Sequence, residues 1–181
     1  MNKPDETRMA IVEGINKLSA IKKFSDIRIS DICTESGVSR ATFYRSFYNA
    51  LDVVYWLWDK CNSDSLYKMG NPYGWRQAHT LQFQLVYDYK DLFIPAFEES
   101  EFTFFTTYGA QSVLREITRN ITEVYNYVMS DKEQFELQYF NYGCSYMFSK
   151  WAQNGMTQSP EEMADYFGRL VPPFLKNLIG E

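Results

Sequence analysis

Arg40, Thr42, Tyr44 and Arg45 fall within one short run, and their chemistry suits the grip of a nucleic-acid duplex. Guanidiniums fork onto phosphates or guanine edges, and hydroxyls donate to phosphate oxygens. Bond-breaking chemistry finds much less support. His79 is the single histidine, and Cys33, Cys61 and Cys144 stand apart with no CxxC spacing. A zinc site needs a cluster of such ligands. The chain has no Gly-rich phosphate loop and no nucleophile–base motif. Glu98, Glu99 and Glu101 read as a solvated turn rather than an acid–base pair. The expectation is therefore a binding protein with no catalytic residues, no metal and no cofactor.

Two short helices joined by a tight turn must position the four side chains. Ser30 to Phe47 has that pattern. Ser30 is expected to cap the first helix, with Asp31 in its first turn near the positive dipole end. Ser39 is expected to cap the second. Gly37 permits the positive φ that such a turn needs. Ile32, Val38, Phe43 and Phe47 supply the apolar contacts that fix the angle between the helices. The second helix then has the form of a recognition helix for a major groove.

The run Gly37-Val38-Ser39-Arg40-Ala41-Thr42-Phe43-Tyr44-Arg45-Ser46-Phe47 resembles the helix-turn-helix signature of the TetR/AcrR family of bacterial transcription regulators. The resemblance extends from about Thr7 to Leu57. The segment from Ile11 to Phe24 is similar to that family's first helix. The resemblance implies an all-α fold. Residues 1–48 would form a three-helix DNA-binding domain, with helix four continuing to about residue 60. Residues 49–181 would form a larger helical domain for effector binding and dimerisation. It also implies DNA-facing roles for Arg28, Ser30, Ser39, Arg40, Ala41, Thr42, Tyr44, Arg45 and Tyr48. Thr42 and Tyr44 would bond phosphates, whereas Arg40 or Arg45 would read guanine or hold phosphate. Ser30 would present its hydroxyl and neighbouring amides to a phosphate. One departure stands out. Family members often carry lysine near the start of helix four, where this chain has Ala50. Losing a phosphate contact weakens binding without altering base preference.

Charge is divided along the chain. The whole carries −5, yet residues 1–60 hold nine basic and eight acidic residues, whereas the remainder holds nine and fifteen. The acidity thus lies away from the DNA-reading segment and helps to present the correct end to phosphate. At 181 residues and 45% hydrophobic content the chain can bury a real core. The N-terminal run lacks a following apolar stretch, and no apolar run is long enough to span a bilayer. A cytoplasmic protein without a signal peptide or membrane contact is expected.

Most of the remainder reads as helix. Expected helices cover Thr7 to about Lys23, Asn49-capped to about Lys68, Trp75 to Tyr89, a short piece from Asp91 to Phe97, and a long one ending near Ser130. Capping boxes at Ser130/Glu133 and Ser159/Glu162 open two more, the last reaching about Val171 before Pro172 and Pro173. Helix 131–154 has two apolar stripes. One is Phe140, Cys144, Met147 and Trp151, and the other is Phe135, Tyr139, Tyr142 and Tyr146. Met163, Phe167, Leu170 and Phe174 continue the pattern in the last helix. Interface and intramolecular core are equal readings on the pattern alone. The family resemblance favours a homodimer interface made by Phe140, Cys144, Met147, Trp151, Met163, Phe167, Leu170 and Phe174.

The middle of the chain concentrates aromatic residues. Core is the bland reading. The resemblance implies a pocket for an unidentified small apolar or aromatic effector, with Phe83, Tyr87, Phe93, Phe97, Phe104, Phe105, Tyr108 and Gln111 as candidates. The favoured function is a ligand-responsive repressor acting as a homodimer on a palindromic operator of double-stranded DNA. A helical adaptor with weakened DNA binding, acting through protein partners, is the alternative.

Overall fold

Ile11, Val12, Ile15 and Leu18 recur at helical spacing, and all four are buried along α1 (Lys3–Ser19). In this computed structural model, which describes residues 3–99 and 104–180, nine further α-helices follow. They are α2 (Ile29–Ser36), α3 (Arg40–Ser46), α4 (Ala50–Asp64), α5 (Trp75–Asp88) and α6 (Lys90–Glu99). Then come α7 (Ala110–Glu123), α8 (Asp131–Gln153), α9 (Pro160–Gly168) and α10 (Pro173–Ile179). No strand occurs among the described residues. Glu101 and Phe102 lie outside them, as do the side chains of Phe104 and Phe105.

Local chemistry explains most of the boundaries. Ser39 caps α3 by accepting from the Thr42 amide, and Asn49 caps α4 by accepting from the Asp52 amide. Both expected capping boxes form, at Ser130/Glu133 and Ser159/Glu162, with Pro160 in the first turn of α9. Gly37 ends α2 at φ +68°. Ser30 does not cap α2. The backbone is already extended at Arg28, so Arg28 takes the N-cap position without a side-chain bond. Ser30 therefore sits within the first turn, where its carbonyl accepts from the Thr34 hydroxyl.

Several helix ends differ from expectation, among them α4, which stops at Asp64 before a 3-10 turn at Leu66–Lys68. α1 stops at Ser19, and a 3-10 turn at Phe24–Asp26 buries Phe24 before α2. The long helix expected to end near Ser130 instead comprises a π-helical turn, Phe104–Gly109, and α7, which stops at Glu123. Beyond it Asn126 takes a positive φ of 49°, which a helix does not accommodate. Tyr125 donates to the Gly70 carbonyl and Tyr127 to the Glu133 carboxylate, so the connection is pinned at both ends. α9 stops at Gly168, short of the expected Val171, and Pro173 then opens α10 at a helix start, where its missing amide costs little.

The helices pack around two apolar clusters. The larger runs from Ile11 through Phe43, Val54, Phe83 and Phe93 to Trp151 and Phe167. It joins the helix-turn-helix to the helices behind it, because α1 packs on α2, α4 and α6. The Tyr89 hydroxyl reinforces this by donating to Glu13 at 2.9 Å. The smaller cluster gathers Leu66, Trp75, Ile117, Leu137, Phe140 and Leu175 around α7 and α10. No described helix is long and apolar enough to cross a membrane.

Candidate nucleic-acid interface

The short helix α3 has one buried aromatic anchor. Phe43 is fully buried, with Phe47 just beyond the helix end buried beside it. This anchoring leaves Arg40, Ala41, Tyr44 and Arg45 exposed and Thr42 half-buried. Ser39 Oγ lies 2.9 Å from Thr42 Oγ1, and Arg45 Nη2 donates to the same Thr42 oxygen at 3.1 Å. The Arg40 guanidinium lies over the Tyr44 ring at 5.9 Å. The two arginines are thereby steadied by neighbours one helical turn away, with no carboxylate holding either in the described ion pairs.

Arg28 and Ser30 are also exposed, but they lie at the far end of α2 from the Gly37 turn. The eight-residue length of α2, ~12 Å, lies between them and the Gly37 turn. Lys22 and Lys23 share their corner in a shallow depression with Arg28 and Asp31. The expected first helix runs to about Lys23, and only its stop at Ser19 makes a corner of these lysines. Lys22 is engaged, pairing with Asp31 at 2.9 Å, and that hydrogen bond holds the Asp31 carboxyl below its usual range. Tyr48 is highly exposed, while its amide donates to Asp52. Ala50, at the position where family members often carry lysine, begins α4.

The effector residues are dispersed. Phe83, Phe93 and Phe97 are core: Phe83 packs on Phe148, Trp151 and Phe167 at centroid distances of 5.1–5.5 Å. Helical spacing on α5 and α6 turns these rings inward, where they fill space rather than enclose it. Tyr87 is half-buried against Trp151. Tyr108 and Gln111 are exposed. A small, partly open cavity of about 30 Å³ lies elsewhere, lined by His79, Gln82, Asn141, Cys144 and aromatic rings. Gln82 donates to Asn62 at 2.8 Å there, and Asn141 to the Ala110 carbonyl at 2.9 Å. Burial lowers the pKa of His79 to about 4 and raises that of Cys144.

The expected interface stripe is likewise redistributed. Phe140, Trp151, Met163 and Phe167 are buried within the chain, and Cys144 and Phe174 are half-buried. Only Met147 and Leu170 of that set are well exposed. The second stripe of α8, Phe135, Tyr139, Tyr142 and Tyr146, faces outward. Phe135, Tyr139 and Tyr142 of that stripe, with Met147, Leu170, Pro172 and Pro173, border an apolar groove of about 920 Å³.

Residues 74–172 match the sequence model of a family described as a transcriptional regulator C-terminal region. Among solved structures, the dihydroxyacetone kinase operon activator DhaS superposes with a TM-score of 0.71 at 19% identity, over 96% of this chain and 98% of that one. The TetR family repressor AlkX from Dietzia sp. strain DQ12-45-1b, implicated in biodegradation of n-alkanes, gives 0.59 at 13% identity, over 96% and 98%. No curated protein matches. At identities this low, the superpositions show a common fold alone.

Proposed function

The chain belongs to the TetR family of transcriptional regulators, and on that premise we propose that it is a ligand-responsive repressor, homodimeric on a palindromic operator. The observation that carries this reading is the surface of α3. Its buried side is one phenylalanine, and its open side is Arg40, Tyr44 and Arg45, with Thr42 at the edge. Each subunit would seat α3 in a major groove, with half-sites about one helical turn, ~34 Å, apart or a multiple of it. Residues 1–48 are the reading domain in this account, and 49–181 the regulatory one.

The outward stripe of α8 and Leu170 just beyond α9 support the dimer, because an exposed apolar patch of this kind marks an interaction surface. A small apolar or aromatic effector would enlarge the His79–Gln82–Asn141 cavity, where α4, α5, α7 and α8 meet. It shifts the dimer only by its differential affinity for the two states. The two solved neighbours carry opposite printed roles, activator and repressor. Repression is the simpler consequence of an operator occupied by a dimer.

Mobility shift against DNA upstream of the protein's own gene, at several salt concentrations, tests the reading. Sequence-selective binding that Tyr44→Phe and Arg40→Ala both weaken is expected. Equal weak binding to every sequence would overturn it and favour a helical adaptor, which the alanine at position 50 makes the second reading.

A further inference from the structure

Trp75 opens α5 with its indole 4% exposed, yet its Nε1 has no hydrogen-bond partner. A buried donor left unsatisfied is costly, and such groups often mark a site that a ligand completes. The indole borders a surface cleft of about 330 Å³ that it shares with Arg76, Asp165, Gly168, Arg169 and Lys176. Gly168 forms the wall nearest Nε1: a Cβ at that position would stand 4.0 Å away, with Nε1 its nearest neighbour. The missing side chain leaves Nε1, itself buried, close behind the Gly168 wall of the cleft.

The surrounding charge is positive. Arg76 is neutralised by Asp165, donating from Nη2 at 2.7 Å and Nε at 2.9 Å. Arg169 and Lys176 have no acidic partner among the described ion pairs. This surplus lies in the part of the chain where acidic residues outnumber basic ones by six. The cleft also meets the start of α5, which has no side-chain cap. Of its first amides, that of Trp75 reaches the Gly180 carbonyl at 3.4 Å. The positive end of a 14-residue helix thus adds to the two cations.

We propose that this cleft binds a small anion bearing a carboxylate or phosphate group, with Trp75 Nε1–H donating to it and Arg169 and Lys176 supplying charge. The volume suits a small ligand. The site lies across α9 from the apolar groove, since Asp165, Gly168 and Arg169 face the cleft and Phe167 and Leu170 face the groove. It does not depend on DNA binding.

Nitrogen-15 spectra of the full chain, titrated with inorganic phosphate or with succinate at fixed ionic strength, test this. Four tryptophans give four indole resonances, and Trp75→Phe identifies the one that matters. A saturable shift of the Trp75 resonance is expected with at least one anion, the other three staying in place. Which anion saturates distinguishes phosphate from carboxylate. Arg169→Gln and Lys176→Gln should each weaken binding about tenfold. Lys132→Gln, removing an exposed cation of α8, should leave it unchanged. No saturable shift with either anion overturns the proposal. So does binding that survives the double variant of Arg169 and Lys176, which would leave those cations as helix-end charges only.

Discussion

Ser39 and Thr42 each serve two purposes, and substitutions separate them. Ser39 Oγ accepts from the Thr42 amide at 3.1 Å, so Ser39→Ala removes a helix cap and should cost about 1 kcal/mol of stability in urea denaturation. Thr42→Val leaves that cap intact but frees Arg45 from its hydroxyl partner. Operator affinity should fall several-fold by titration while the urea midpoint barely moves. His79 provides a second residue-scale prediction. Burial among the Trp75, Phe83 and Phe167 rings lowers its pKa from 6.5 to about 4, far outweighing the opposing hydrogen bond to the Trp75 carbonyl. Above pH 6.5 the imidazole is neutral in both folded and unfolded chains, so its protonation costs nothing there. Between about 6.5 and 4 only the unfolded chain binds the proton, and stability falls as pH falls. Between pH 7.5 and 5 this loss should be about 2 kcal/mol. Urea denaturation of the protein and of His79→Gln at both pH values isolates the part of the acid slope that disappears with the imidazole.

At the level of elements, two glycines with positive φ should respond differently to alanine. Gly37, at φ +68°, has no atom within 4 Å of a would-be Cβ, so Gly37→Ala should cost about 1 kcal/mol from backbone conformation alone. Gly70, at φ +92°, would place its Cβ 2.5 Å from the Tyr125 hydroxyl oxygen, which is itself bonded to the Gly70 carbonyl. Gly70→Ala should therefore cost distinctly more than Gly37→Ala, and thermal denaturation compares the two. The Gly37 turn was legible because it is local: Gly37, Ser39 and Phe43 specify it within seven residues. The same holds for the caps at Asn49, Ser130 and Ser159, where a side chain meets an amide three residues on. The break after Glu123 was not legible, because Asn126 and the tyrosines flanking it are fixed by Gly70 and Glu133. Nor was the orientation of α8. Phe140 and Tyr139 are adjacent aromatic residues in sequence, and only packing against α7 and Trp75 buries the first and exposes the second. A pocket was hard to tell from core among the effector candidates for a related reason. Rings at helical spacing suit a packed core as well as a cage, and here α5, α6 and α8 close upon them.

For the whole molecule, charge and apolar surface are distributed along the chain in a way that suits two copies on one duplex. The residues before position 61 are close to neutral and carry the exposed arginines of α3, whereas the acidic remainder carries the outward stripe of α8. Pairing through that stripe and the adjoining groove would bury Phe135, Tyr139 and Met147 of each copy and keep most carboxylates away from phosphate. A single α3 offers few base contacts, so selective binding at working salt needs the second half-site. Introducing carboxylates into the groove by Tyr139→Glu together with Leu170→Glu should therefore act at a distance. Both side chains are more than two-thirds exposed, at 77% and 73%, so the fold of each subunit should persist, as far-UV circular dichroism would report. Light scattering should show a dimer for the unaltered chain and a monomer for the double variant. On a palindromic operator the variant should lose tenfold or more in affinity. On a single half-site the two proteins should bind equally weakly, because α3 is untouched. A double variant that stayed dimeric would place the interface on another face, and one that lost half-site binding as well would point to damage within the subunit.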